Sequence, residues 1–206
     1  MEPGGYISYT AQSLGKLIGI GQPTPDTFCV GVAIAQRTGQ LNRPGKPAVL
    51  LVRRTEDTDH YPGIWHLPGG QIEPTDLNVK AAIERLVFDK TNLKVTRVLE
   101  QLDYAYRGKD EETKLVANPA GGEDLVVNKV VYMINYVVEV EDLDAFRLKT
   151  DEYTSQYWID EDMVSSLGAT ESVKRAVSEA LVSVNMHHLS DVQERNHDEH
   201  HPQPNQ

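Results

Sequence analysis

The run Val130-Val131-Tyr132-Met133-Ile134-Asn135-Tyr136-Val137-Val138 constrains the fold more than any other segment. Successive residues of a strand face opposite sides of a sheet, so a half-exposed strand alternates apolar and polar side chains. This run is apolar at both parities, and a strand around 130–140 therefore cannot be an exposed edge. Phe28–Ile34 and Ala48–Val52 are further strand-like runs, and the Gly/Pro/Asn-rich connection from Thr38 to Pro47 joins them as a hairpin with a long loop. Strands are also predicted around 95–106 and at Tyr157-Trp158-Ile159. Apolar residues at helical spacing predict a helix over Val79–Lys90, with Val79, Ala82, Ile83 and Leu86 on one face and Asp76 as N-cap. A last helix, capped by Thr170, carries Val173, Ala176, Val177, Ala180, Leu181 and Val184 toward the sheet.

The 206 residues suit one domain at roughly 100–200 residues per domain, with an N-terminal extension over 1–24 and the domain itself over 25–189. Residues 190–206 are His, Asp, Glu, Pro, Gln and Asn rich and predict a disordered polar tail, whose histidines read as solvated rather than as a metal tract. The polar stretch Arg107–Asn128 is longer than most loops and is expected to be functional or partly disordered. Cys29 stands alone inside a strand-like run, which excludes a disulfide scaffold and fits a reducing, cytoplasmic setting. No basic, apolar leader or membrane-length apolar run is present, so no membrane partner is expected. A net charge of −11 repels a phosphate backbone and argues against duplex nucleic acid, leaving a small anionic molecule as the partner.

The chemistry is concentrated in Gly63-Ile64-Trp65-His66-Leu67-Pro68-Gly69-Gly70-Gln71-Ile72-Glu73-Pro74-Thr75-Asp76 and the helix behind it. This segment resembles the Nudix hydrolase family, whose signature is G-x5-E-x7-R-E-U-x-E-E-x-G-U with U a bulky aliphatic residue. From Gly70, five residues lead to Asp76, seven more to Glu84-Arg85-Leu86, and Phe88-Asp89 follow. The entry through Ala48–Arg54 and Trp65–Gly70, and the closing Tyr153–Trp158 before a last helix, are also similar to the family, over roughly residues 25–187. The resemblance implies an α/β fold, an α/β/α sandwich with a mixed β-sheet. It also implies hydrolysis of a phosphoanhydride in a small organic diphosphate or nucleotide derivative, with Mg²⁺ or Mn²⁺ held by helix carboxylates.

The box is degenerate. Family members carry Glu at the positions of Arg85, Phe88 and Asp89, and Arg at that of Glu84, so only Asp89 stands as a standard ligand. Moving a carboxylate from position 85 to 84 turns it about 100° around the helix, while Arg85 and Asp89, four apart, share a face and can pair. A register shifted by one places Arg85 and Leu93 well but puts Leu86, Asp89 and Lys90 in the Glu positions, restoring no site.

The candidate catalytic residues are Glu84 and Asp89, and the candidate metal ligands are Asp89, helped by Glu84, Asp76, Glu73, or an acid such as Glu123 or Asp124. Substrate contacts are expected from Arg53, Arg54, Trp65, Gly69, Gly70 and Arg85, although Trp65 also suits packing and the glycines also suit a tight turn at positive φ. Between Gly63 and Leu93 four acids face three bases, a net charge of −1, so the helix that should bind metal is nearly neutral. Two functions stay open: a weakly active Nudix-type hydrolase, or a Nudix-fold protein that binds, or transforms without metal, an anionic small molecule.

Overall fold

The computed structural model describes residues 6–18, 25–36, 46–57, 61–103, 105–116, 123, 125–148 and 151–198. The elements are α1 (Ala11–Ile18), β1 (Thr27–Gln36), β2 (Ala48–Arg54), β3 (Trp65–His66), β4 (Gly69–Gln71), α2 (Val79–Thr91), β5 (Val95–Gln101), β6 (Tyr106–Val116), β7 (Leu125–Val140), β8 (Tyr153–Ile159) and α3 (Glu171–Asp198).

The apolar run lies at the centre of the sheet, as its two-sided hydrophobicity requires. β7 runs parallel to β1, from Thr27 opposite Val131 to Ile34 opposite Val138. Its other edge pairs antiparallel with β6 along the first part and with β5 along the last. β1 in turn carries β4 and β2, and β2 carries β3 and β8, closing an eight-stranded mixed sheet. Ile134, Asn135, Tyr136, Val137 and Val138 are all buried.

Alternation along the strands sorts the core into two layers. Val30, Val32, Ile34, Leu50, Ile134, Tyr136 and Val138 face α1 and α2, where Leu14, Val79, Ala82, Ile83, Leu86 and Val87 cover them. Ala33, Ala35, Val49, Leu51 and Val137 face α3, which answers with Ala176, Val177, Ala180, Leu181 and Val184. Helices on both faces of a mixed sheet make the expected α/β/α sandwich.

Four sequence expectations change. Asn78, not Asp76, caps α2: its side chain accepts from the Ala81 N–H at 2.9 Å, while Asp76 is held by Arg85. The stretch expected as a loop over 107–128 contains β6, registered on β7 from Tyr106↔Met133 to Val116↔Leu125. Charged residues suit a strand at a sheet margin because they discourage further pairing, and that polarity reads as loop in the sequence. The polar segment after 190 begins as helix, since α3 continues through Asp198; extending an anchored helix adds a hydrogen bond per residue ordered without a new nucleus. His200 and His201 lie outside the described residues. Finally, the N-terminal extension joins the core: Leu14 of α1 is fully buried, a contribution of about 1.5–3 kcal/mol.

Candidate functional site

The glycines at the head of the box are required by close approach rather than by a positive φ. β4 lies antiparallel on β1, with Gly69 opposite Gly31 and Gly70 opposite Val30. A Cβ on Gly69 would meet the Val30 carbonyl oxygen at 2.1 Å, and one on Gly70 would meet Leu86 Cδ2 at 2.9 Å. The left-handed conformation falls instead on Gly63, at φ 67°. Arg53 holds that turn: its Nε donates to the Gly63 carbonyl at 2.8 Å and its Nη2 to Glu56 at 3.0 Å.

α2 is supported at both ends. The Val79 and Lys80 N–H groups donate to the Tyr9 and Ile7 carbonyls, at 2.9 and 3.1 Å, so the N-terminal segment completes the cap begun by Asn78. At the other end Asn92 adopts the left-handed conformation and its N–H reaches the Phe88 carbonyl. The helix thus runs one residue beyond the point where the family's glycine would stop it. Leu86 is buried in the core, which fixes it as the aliphatic residue of the signature and leaves positions 85, 88 and 89 on the outward side.

Around those positions Asp76, Glu73 and Glu84 are engaged by basic side chains. Arg85 Nε donates to Asp76 Oδ1 at 2.8 Å and Nη2 to Asp76 Oδ2 at 2.7 Å, with Nη2 also 3.1 Å from the Gln71 carbonyl oxygen. Glu73 completes the arrangement, its Oε1 3.3 Å from Nη1. Arg85 therefore closes on Asp76 rather than on Asp89, because the loop ahead of α2 folds back over the helix. The Arg85 hydrogen bonds hold the Asp76 carboxyl below the usual carboxylate range. Glu84 forms an i,i+4 ion pair with Lys80, Phe88 is half-exposed, and Asp89 is exposed. Glu123 is also exposed, and Asp124 lies outside the described residues.

This donor set does not fit Mg²⁺ or Mn²⁺, which require several converging oxygen ligands. A guanidinium occupies a ligand position, two nearby acids are committed to it, and no group of three or more His, Cys, Asp or Glu side chains converges among the described residues.

A second polar group, which the sequence reading missed, lies on the same sheet face beyond the end of α2. In β3, His66 pairs with Val52 and Trp65 with Arg53, so the two rings take opposite faces. Trp65 packs on the α3 side, its ring 6.5 Å from Tyr157, and does not join the box. His66 faces the α2 side. Tyr153 arrives there because the β2–β8 register slips between Arg53 and Arg54: Ser155 pairs with Arg53 but Tyr153 pairs with Arg54, and Thr154 is the extra residue. Such bulges re-aim side chains. The His66 and Tyr153 rings lie 5.3 Å apart. Lys90, from the last turn of α2, passes 5.8 Å over the Tyr153 ring and holds both Glu152 oxygens at 2.8 Å. Burial, reinforced by the charge of Arg54, pushes His66 down to about 4, so the imidazole is neutral at neutral pH. Burial and the Glu152 charge push the Tyr153 hydroxyl up. The alternation of Trp65 and His66 in a short strand was the available signal for His66; the bulge has none.

Of the expected substrate contacts, the structure brings Arg54 beside His66 and Tyr153, sets Arg85, Gly69 and Gly70 in the box, and places Arg53 and Trp65 elsewhere. A sandwich with a loop–helix box packed on one face of a mixed sheet defines a Nudix-type fold. The NUDIX domain profile matches residues 28–181, and the chain belongs to that family. Solved structures agree on the fold. The NUDIX domain of Shewanella oneidensis NrtR, complexed with ADP ribose, matches at 17% identity and a TM-score of 0.53, over 74% of this chain and 84% of that one. The MutT protein of Methanosarcina mazei Go1 matches at 17% identity and a TM-score of 0.52, over 79% and 94%. A NUDIX hydrolase from Nitrosomonas europaea matches at 17% identity and 0.50, over 80% and 73%. No curated protein matches the chain.

Proposed function

We propose that this Nudix-family chain binds a small anionic molecule, of the organic diphosphate or nucleotide-derivative class, on the α2 face without a bridging divalent metal. The observation that carries this reading is the forked Arg85–Asp76 pair, which fills the carboxylate cluster of the family with a neutralised ion pair. Because both of its edges are engaged by Asp76, Glu73 and the Gln71 carbonyl, Arg85 organises the loop rather than receiving the ligand. With Arg85 held by Asp76 and Lys90 held by Glu152, the positive charge left for the ligand comes from Arg54. Adenosine-containing anions are a reasonable first panel, since the domain of NrtR was solved with ADP ribose.

Calorimetry of the full chain with inorganic pyrophosphate and ADP-ribose, in EDTA and then with Mg²⁺, tests the proposal. Binding in EDTA is expected, and a strict requirement for the divalent ion overturns it. The paired substitution Arg85→Glu with Phe88→Glu is expected to create or greatly raise Mg²⁺-dependent phosphate release. Strong release from the unaltered protein would instead establish the hydrolase.

A further inference from the structure

We propose that His66 and Tyr153 form a neutral acceptor–donor pair that selects anions bearing an amide-type edge, an N–H beside a C=O. The inference rests on the function proposed above and adds the uncharged part of the ligand.

His66 Nδ1 lies 2.7 Å from the Leu67 carbonyl oxygen. A carbonyl offers only lone pairs, so Nδ1 carries the proton and Nε2 is a bare acceptor. That Nε2 and the Tyr153 hydroxyl are both sealed from solvent; Nε2 has no hydrogen-bond partner, and the hydroxyl has only a weak side contact with the Glu152 carboxylate, which Lys90 already holds. An unmet buried polar atom costs about 1–3 kcal/mol, so one unmet and one weakly met on adjoining rings are a substantial cost for the fold to carry without a use. The bulge in β8 is what puts the phenol beside the imidazole; without it Tyr153 would fall on the α3 side with Ser155.

Burial keeps the pair neutral. At His66 the charges of Arg54 and Lys90 add to it against that of Glu152, and at Tyr153 the charge of Glu152 adds to it against that of Arg54. At neutral pH the pair therefore offers one lone pair and one O–H. A carboxylate edge presents two acceptors and leaves Nε2 unmet, whereas an N–H beside a C=O satisfies both atoms. The surrounding side chains, Arg54, Lys90 and Glu152, carry one cation in excess, which suits an anionic ligand. Lys90 reaches across the Tyr153 ring, so a ligand reaching the pair has to displace this side chain.

The test uses the full chain in EDTA, titrated by calorimetry with uridine and guanosine 5′-diphosphates, whose bases carry such an edge, and with inorganic pyrophosphate, which lacks one. Either nucleotide is expected to bind about tenfold tighter than pyrophosphate, the worth of one or two net hydrogen bonds. Tyr153→Phe, which deletes one oxygen, and His66→Phe should remove that advantage while leaving pyrophosphate affinity unchanged. The His66 Nε2 resonance in ¹⁵N-labelled protein should shift with the nucleotide and not with pyrophosphate. Equal affinities, an equal loss for pyrophosphate in the variants, or an Nε2 resonance already hydrogen-bonded in the free protein, the mark of a trapped water only, overturns the inference while metal-free pyrophosphate binding keeps the proposed function. If binding appears only with Mg²⁺, the proposed function fails, and the loss in Tyr153→Phe decides this inference separately. No binding under either condition overturns both.

Discussion

The guanidinium of Arg85 and the carboxylate of Asp76, nine residues apart, meet through two parallel hydrogen bonds of 2.8 and 2.7 Å. The Asp76 side chain is only 5% exposed, so the pair is enclosed on the acid's side. Arg85→Ala should therefore destabilise the protein by about 1.5–3 kcal/mol, the usual worth of hydrogen bonds to a buried charge. Urea unfolding reads this directly, and a loss below half a kcal/mol would make the pair ornamental.

The same pair sets an acid limit. Asp76 titrates below its unfolded value, so the folded state holds fewer protons and the stabilisation is complete above about pH 4. It is lost as the pH falls further. Asp76→Asn should flatten the dependence of Tm on pH below 4 relative to the unaltered chain.

His66 works in a different window. Its folded value of about 4 against 6.5 when free means that between these limits the unfolded chain binds the extra proton. Stability is full above pH 6.5 and falls by up to about 3 kcal/mol on the way to pH 4. Replacing His66 by Phe should abolish that slope, and Tm measured at pH 7 and pH 5 is sufficient to see it.

Much of this architecture is legible in the sequence because it rests on local periodicity. β7 is announced by apolarity at both parities, α3 by Val173, Ala176, Val177, Ala180, Leu181 and Val184, and the box by its spacing. The site is less legible. Asp89 is the partner that helical spacing offers Arg85, yet the backbone of the preceding loop delivers Asp76. The His66–Tyr153 contact depends on a register slip at Arg53 and Arg54, which no periodicity encodes. β6 was hidden because residues that suit a sheet margin are those that suit a loop.

The two box glycines should differ sharply on substitution. Gly69→Ala drives a Cβ into the backbone oxygen of Val30, which cannot give way without separating β4 from β1, so a cooperative fold should be lost or severely destabilised. Gly70→Ala meets only the far end of Leu86 and should cost far less. Thermal unfolding of the two variants side by side gives the comparison.

At the N-terminus of α2, Asn78→Ala should cost about 1 kcal/mol, as for other caps of its kind. Denaturant titration that shows no loss would mean that the Tyr9 and Ile7 carbonyls suffice.

Those two carbonyls also redefine where this domain begins. The family match starts at residue 28, but a chain trimmed to 28–181 would forfeit Tyr9, Ile7 and Leu14 together, baring two amide donors and opening a hole in the core layer that α2 covers. The evolutionary unit and the folding unit are therefore not the same length. The first helix belongs to the second of these, as a wedge that holds the box in place.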